Sequence, residues 1–144
     1  MKKFKLLLVL FTAVSIGLTS CKKDGEPKPD TPEQTEAKSK IVGKWFITKA
    51  VFTLTESGQD ATPTQYNEFD DTQFFNFKSD LTVDISYKVK NGTFTYTFSE
   101  DAKTLATSSP NDTYTVKTLT ETELILVKNH TGDPKMTEEI TFRK

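Results

Sequence analysis

The sequence predicts an all-β domain: an eight-stranded antiparallel up-and-down meander that closes into a barrel. Three observations carry this. From Gly43 onward threonine and aromatic residues dominate, and proline falls only between the apolar runs. Within the runs apolar and polar residues alternate with a period of two, the pattern of a strand with one buried face. Short clusters of turn residues separate the runs, so each strand pairs with its neighbour in the chain. Such a meander buries its apolar face by closing on itself, which also removes exposed edges. A two-sheet sandwich is the alternative.

The chain opens with an address. Lys2, Lys3 and Lys5 precede an uncharged apolar run from Leu6 to Leu18. At about 1.5 Å per residue that run covers about 20 Å, short of the roughly 30 Å hydrocarbon core. A basic start and a short apolar middle predict a secretory signal over residues 1–20. Leu18-Thr19-Ser20-Cys21 resembles the lipobox of bacterial lipoproteins, whose small residues give the peptidase access to the bond before the modified cysteine. Cys21, the one cysteine in the chain, is therefore expected to become the acylated N-terminus. Its partner is then a lipid bilayer, held by acyl chains at about 0.8 kcal/mol per buried methylene. Losing the three signal lysines moves the formal net charge from −1 to −4, which leaves no electrostatic footprint for nucleic acid.

Residues 21–40 read as a tether rich in proline, lysine and glutamate, with Pro27, Pro29 and Pro32 favouring an extended, solvated chain. Lys22-Lys23-Asp24-Gly25-Glu26 resembles a loose form of the lysine-plus-acid tag that sends Gram-negative lipoproteins to the outer face of the outer membrane. The expectation is an outer-membrane anchor, at the cell surface rather than in the periplasm. Near its end Thr31-Pro32-Glu33-Gln34 has a capping threonine, proline at the first helical position and glutamine at the capping-box position. One or two helical turns up to Lys40 are expected.

Residues 41–144 form the barrel domain. Strands are expected at 43–55, 73–78, 81–90, 93–98, 103–107, 113–119, 122–128 and 136–143. In 81–90, Leu81, Val83, Ile85, Tyr87 and Val89 share one face. Asn91-Gly92 is a hairpin signal, after which Phe94, Tyr96 and Phe98 continue that face. In the first strand Trp45 and Ile47 have one parity and Phe52 and Leu54 the other. One regular strand cannot bury both pairs, so a bulge is expected near Thr48 to Ala50.

Gly43-Lys44-Trp45, opening the first strand after a short helical lead-in, resembles the Gly-x-Trp start of lipocalins. Small bacterial lipocalin-like lipoproteins share more: Phe75-Asn76-Phe77, the segment Thr120 to Leu124, and Ile140 to Phe142. The resemblance covers 41–144 and implies a lipocalin-like barrel. It implies a basic side chain, here Arg143, stacked over Trp45, although Phe142 pointing inward would turn Arg143 outward. It also implies a loop after the first strand lying over the open mouth. The 57–72 connection is that loop, the longest in the domain, with Tyr66 and Phe69 to pack beneath it. The long flanking helix of lipocalins has no counterpart, and with an eight-stranded barrel this predicts a narrow interior.

The domain is expected not to be an enzyme. Its one histidine, His130, sits in a turn-like Asn-His-Thr-Gly and reads as exposed, and no triad, zinc set or phosphate loop can be assembled. Glu68, Asp70 and Asp71 lack the alternating oxygen ligands of a calcium loop. No metal and no cofactor are expected. Beyond residues 1–20 there are nine Phe, four Tyr and one Trp. Trp45, Phe75, Phe77, Tyr87, Phe94, Tyr96, Phe98, Tyr114 and Phe142 are placed inward, mostly as core. Buried phenols require partners, so Tyr87, Tyr96 and Tyr114 imply an internal polar network or a wet pocket. With Tyr66 and Phe69 they are the candidate ligand-binding residues. Two function classes follow: a carrier of a small apolar or amphipathic ligand, or a filled barrel that serves an envelope protein partner as an interaction module.

Overall fold

The computed structural model describes residues 28–56, 60–110, 112–132 and 134–144. The expected signal, Cys21 and the first part of the tether lie outside the described residues. The elements are α1 (Pro32–Ile41), β1 (Gly43–Thr55), β2 (Thr62–Tyr66), β3 (Phe74–Phe77), β4 (Thr82–Tyr87), β5 (Lys90–Phe98), β6 (Thr104–Thr107), β7 (Thr113–Leu119), β8 (Glu123–His130) and β9 (Lys135–Arg143). Every pairing is antiparallel, each of β3 to β9 lies beside its chain neighbour, and β9 pairs back onto β1. The result is the expected all-β, closed, eight-stranded up-and-down barrel, formed by β1 and β3 to β9.

The ninth strand, β2, was not foreseen. It arises inside the 57–72 connection and pairs with the outer half of β1, from Ala50↔Tyr66 to Leu54↔Thr62. The inner half of β1 pairs with β3, from Gly43↔Phe77 to Phe46↔Phe74. β2 therefore extends the barrel wall upward at the mouth, beyond the end of β3. All five of its residues are exposed, so no burial pattern announces it.

The bulge in β1 is present. Ile47 pairs with Phe142 and Lys49 with Thr141, leaving Thr48 as the additional residue. Trp45 and Ile47 are buried below it and Ala50 above it, which is the change of parity that the sequence required. Phe52 on the new parity is half-buried, whereas Leu54, past the rim of the core, is exposed.

The β4–β5 hairpin turns elsewhere than expected. Tyr87 pairs with Lys90, Ser86 with Asn91 and Ile85 with Gly92, so the two-residue turn is Lys88-Val89. Lys88 takes the left-handed conformation at φ +52°, and Val89, expected inward, is fully exposed at the tip. Gly92 lies within β5 at φ +153°, beneath the Phe94 ring. Its conformational freedom serves the strand and not the turn.

The tether reading also needs correction at its end. Thr31 caps α1 through a complete capping box: Gln34 N donates to Thr31 Oγ1 (3.1 Å) and Thr31 N donates to Gln34 Oε1 (2.9 Å). The helix then runs to Ile41 and joins the core through Ala37 and Ile41. Gln34 Nε2 donates to Phe98 O (2.9 Å) and Thr31 Oγ1 to Glu100 O (2.7 Å), fixing α1 against β5 and its following turn. Residues 32–40 thus belong to the domain, as the plug of its closed end.

Candidate functional site

The two ends of the barrel are built differently. At the closed end Trp45 is fully buried, and its indole Nε1 donates to Ile41 O at 2.6 Å, joining β1 to the helix. Lys144 Nζ stands 4.9 Å from the centre of the Trp45 ring and donates to Lys40 O at 2.9 Å. The basic group over the tryptophan is therefore Lys144 and not Arg143. Arg143 is exposed and sits opposite Phe46, because alternation in β9 sends Phe142 inward, Arg143 outward and the next residue inward again. Above this closure Phe75, Phe77, Tyr96, Phe142, Leu105, Leu124, Leu126, Ile140 and Val83 are fully buried. The lower barrel is solid.

Tyr96 belongs to that solid part. Its hydroxyl donates to Lys78 O at 3.0 Å, in the β3–β4 turn, and its ring meets Phe77 edge-on at 5.1 Å. The structure thus places Tyr96 away from the mouth, as a core residue with a satisfied phenol.

At the open end the inward positions become polar. Lys90 on β5, Asp112 before β7, Lys128 and His130 on β8 and Glu138 on β9 form a charged layer with Tyr87 and Tyr114. Asp112, 2% exposed, receives the ammonium groups of Lys90 and Lys128. Glu138, 5% exposed, accepts from Tyr87 Oη (2.9 Å) and Lys88 Nζ (2.8 Å) on one oxygen, and its other oxygen faces His130 Nε2 at 3.0 Å. Burial opposes ionisation of Glu138, but the ammonium and the two hydrogen bonds outweigh it and hold the carboxyl below its ordinary value. Burial, reinforced by the Glu138 charge, pushes the Tyr87 phenol upward, so it stays a neutral donor. Burial does the same to Tyr114. His130, read from sequence as an exposed turn residue, ends β8 and takes part in this network.

Over the layer opens a cavity of about 420 Å³, walled by Phe52, Tyr66, Phe69, Tyr87 and Met136 with Glu68, Gln73 and Lys88. Tyr66 packs edge-on against Phe52 (5.6 Å) and Phe69 against Tyr87 (6.3 Å). Of the five candidate ligand-binding residues the structure gathers Tyr66, Phe69 and Tyr87 around one space. Tyr114 is 3% exposed beneath it, edge-on to Phe75 at 6.3 Å and with Lys128 Nζ 5.8 Å from its ring centre. Sequence reasoning missed Phe52, Met136, Lys88 and Glu138. A parity signal existed for the last: Glu138 continues the inward series of Ile140 and Phe142, as Lys90 does that of Phe94 and Tyr96. Among the described residues no group of three or more His, Cys, Asp or Glu is placed to hold a metal ion. The acidic loop residue Asp70 instead accepts the backbone N–H of Thr72 at 2.9 Å.

A closed up-and-down barrel with a helix packed across one end and an aromatic-walled cavity at the other defines a small closed-barrel domain with a concave mouth. The model of the Lipocalin-like domain family matches residues 41–126. The chain belongs to that family. No curated protein and no solved structure matches the chain significantly.

Proposed function

We propose that this protein is a membrane-anchored, non-enzymatic lipocalin-like lipoprotein that binds a small hydrophobic or amphipathic ligand in the barrel mouth. The observation that carries the reading is the cavity of about 420 Å³ with aromatic walls beneath the β1–β3 connection. A concave, mostly apolar space with a few convergent polar groups is the usual form of a small-molecule site. Phe52, Tyr66, Phe69 and Met136 supply the apolar contact, while Tyr87, Lys88 and Gln73 supply the polar one. The anchor is Cys21, acylated after removal of residues 1–20, on the outer membrane with the cell surface favoured over the periplasm. The basic start, the short apolar run and Leu18-Thr19-Ser20-Cys21 support that part.

Native mass spectrometry of the protein purified from its own host tests the ligand. A co-purifying small mass that is lost from Tyr66→Ala/Phe69→Ala supports the carrier, whereas a mass that persists unchanged in that variant refutes this site. The solid lower barrel favours one second reading, a filled barrel acting as an interaction module for an envelope protein. A protein with no small-molecule mass and a stoichiometric envelope protein bound would establish that instead. For the anchor, Cys21→Ser should abolish labelling with palmitate, and retained labelling would refute it.

A further inference from the structure

The mouth already holds a cation. Lys88 Nζ stands 3.8 Å from the centre of the Phe52 ring, 4.8 Å from that of Tyr87 and 2.8 Å from Glu138 Oε1. Two aromatic faces and a buried carboxylate around one ammonium are the elements of an organic-cation site. Lys88 is the part of it that can leave. Its side chain is 48% exposed, on a two-residue turn whose other member is wholly in solvent. Glu138 cannot leave: it is buried and held by Tyr87 and His130 from two sides.

We propose that the ligand of this mouth is a small organic ammonium compound with an apolar body, whose cationic head displaces Lys88 from Phe52, Tyr87 and Glu138. The inference rests on the carrier reading above and narrows its ligand class. Once Lys88 swings into water, Glu138 and the rings lose their cation, and a ligand cation restores both contacts while its body fills the space along Phe69 and Met136. Glu68 adds a second negative charge to the cavity wall. An anionic head fits less well. Lys88 is already matched by Glu138, Lys90 and Lys128 share the single carboxylate of Asp112, and an anion at the mouth would approach both Glu138 and Glu68. Lys88 is then a resident competitor that sets the affinity, so its removal strengthens binding.

The test compares benzyltrimethylammonium, its uncharged isostere neopentylbenzene, and phenylacetate, titrated by NMR into the wild-type protein, Lys88→Met and Glu138→Gln. The wild type should prefer the ammonium compound over the neutral one. Lys88→Met should bind it at least tenfold more tightly, and Glu138→Gln should lose the preference. If Glu138→Gln fails to fold, Phe52→Leu replaces it and should lower ammonium affinity severalfold while sparing neopentylbenzene. Equal binding of the charged and neutral probes in the wild type and in Lys88→Met overturns the inference but leaves the carrier reading standing. So does preferred binding of phenylacetate that weakens in Lys88→Met. Failure of all three probes to bind any of the variants overturns the inference and counts against the mouth as a small-molecule site.

Discussion

The side chain of Lys144 occupies the space that a Cβ on Gly43 would need: its Cε lies 2.7 Å from that position. Gly43 also has φ +127°, a conformation that side chains rarely adopt. The glycine of the Gly-x-Trp opening is thus required by its own backbone, and a Cβ there would in addition displace the flexible end of the Lys144 side chain from its contacts with Trp45 and Lys40. Gly43→Ala should destabilise the barrel by about 1–3 kcal/mol from backbone strain alone, plus the clash. In Gly43→Ala/Lys144→Ala the clash is gone and the strain remains, so a double-mutant cycle in urea should find the double variant less destabilised than the sum of the two single changes. Additive effects would mean that the two residues do not press on one another.

Thr31→Ala removes both the side-chain acceptor of the capping box and the donor to Glu100 O. The expected cost is about 1–2 kcal/mol. Because α1 buries Ala37 and Ile41 against the barrel, the loss should appear in global unfolding and not only as fraying of the helix. Thermal melts followed by aromatic circular dichroism will show it, and a lowered helix signal with an unchanged midpoint would contradict the docked helix.

Val89→Asp locates the β4–β5 turn. With the turn at Lys88-Val89, Val89 lies in solvent, and the aspartate should change stability by no more than about 0.5 kcal/mol. With the turn at Asn91-Gly92, position 89 faces the interior and a buried, unpaired carboxylate would cost several times more. Chemical denaturation separates the two outcomes.

That hairpin shows where the sequence stopped being informative. Both turns leave Val83, Ile85, Tyr87, Phe94, Tyr96 and Phe98 inward, so the period-two pattern cannot choose between them. The choice falls to Gly92, which the structure spends inside the strand under Phe94. Barrel topology was legible because eight runs carried the same alternation with turns between them, and the Thr48 bulge because β1 changes parity within one strand. β2 was not legible, since a wholly exposed strand leaves no pattern of burial. Of the site, Tyr66 and Phe69 were legible as aromatics in a long loop, and Tyr87 as an inward-facing phenol in need of a partner. Tyr96 was misassigned because parity gives the face of a strand and not the height along the barrel axis. The same gap hid the charged layer, whose lysines and acids continue the inward series of their strands up to the mouth.

Glu138 makes that layer sensitive to acid. Its folded carboxyl titrates below the ordinary value of 4.5, because Lys88, Tyr87 and His130 outweigh its burial. The unfolded chain therefore takes up this proton first as pH falls, and the unfolded state is favoured. The stability contributed by Glu138 is fully present above about pH 4.5 and is lost as pH falls from there through the lower folded value. Other carboxylates titrate in the same region, Asp84 among them, so the diagnostic is the difference between wild type and Glu138→Gln. At neutral pH the variant should be less stable by roughly 1–3 kcal/mol, since Lys88 and Tyr87 lose a charged acceptor. That gap should narrow steadily below about pH 4.5, as the wild-type carboxylate is itself neutralised. Urea midpoints measured at intervals between pH 7 and pH 3 test this, and a gap that stays constant down to pH 3 would mean that the Glu138 charge contributes nothing to holding the mouth together.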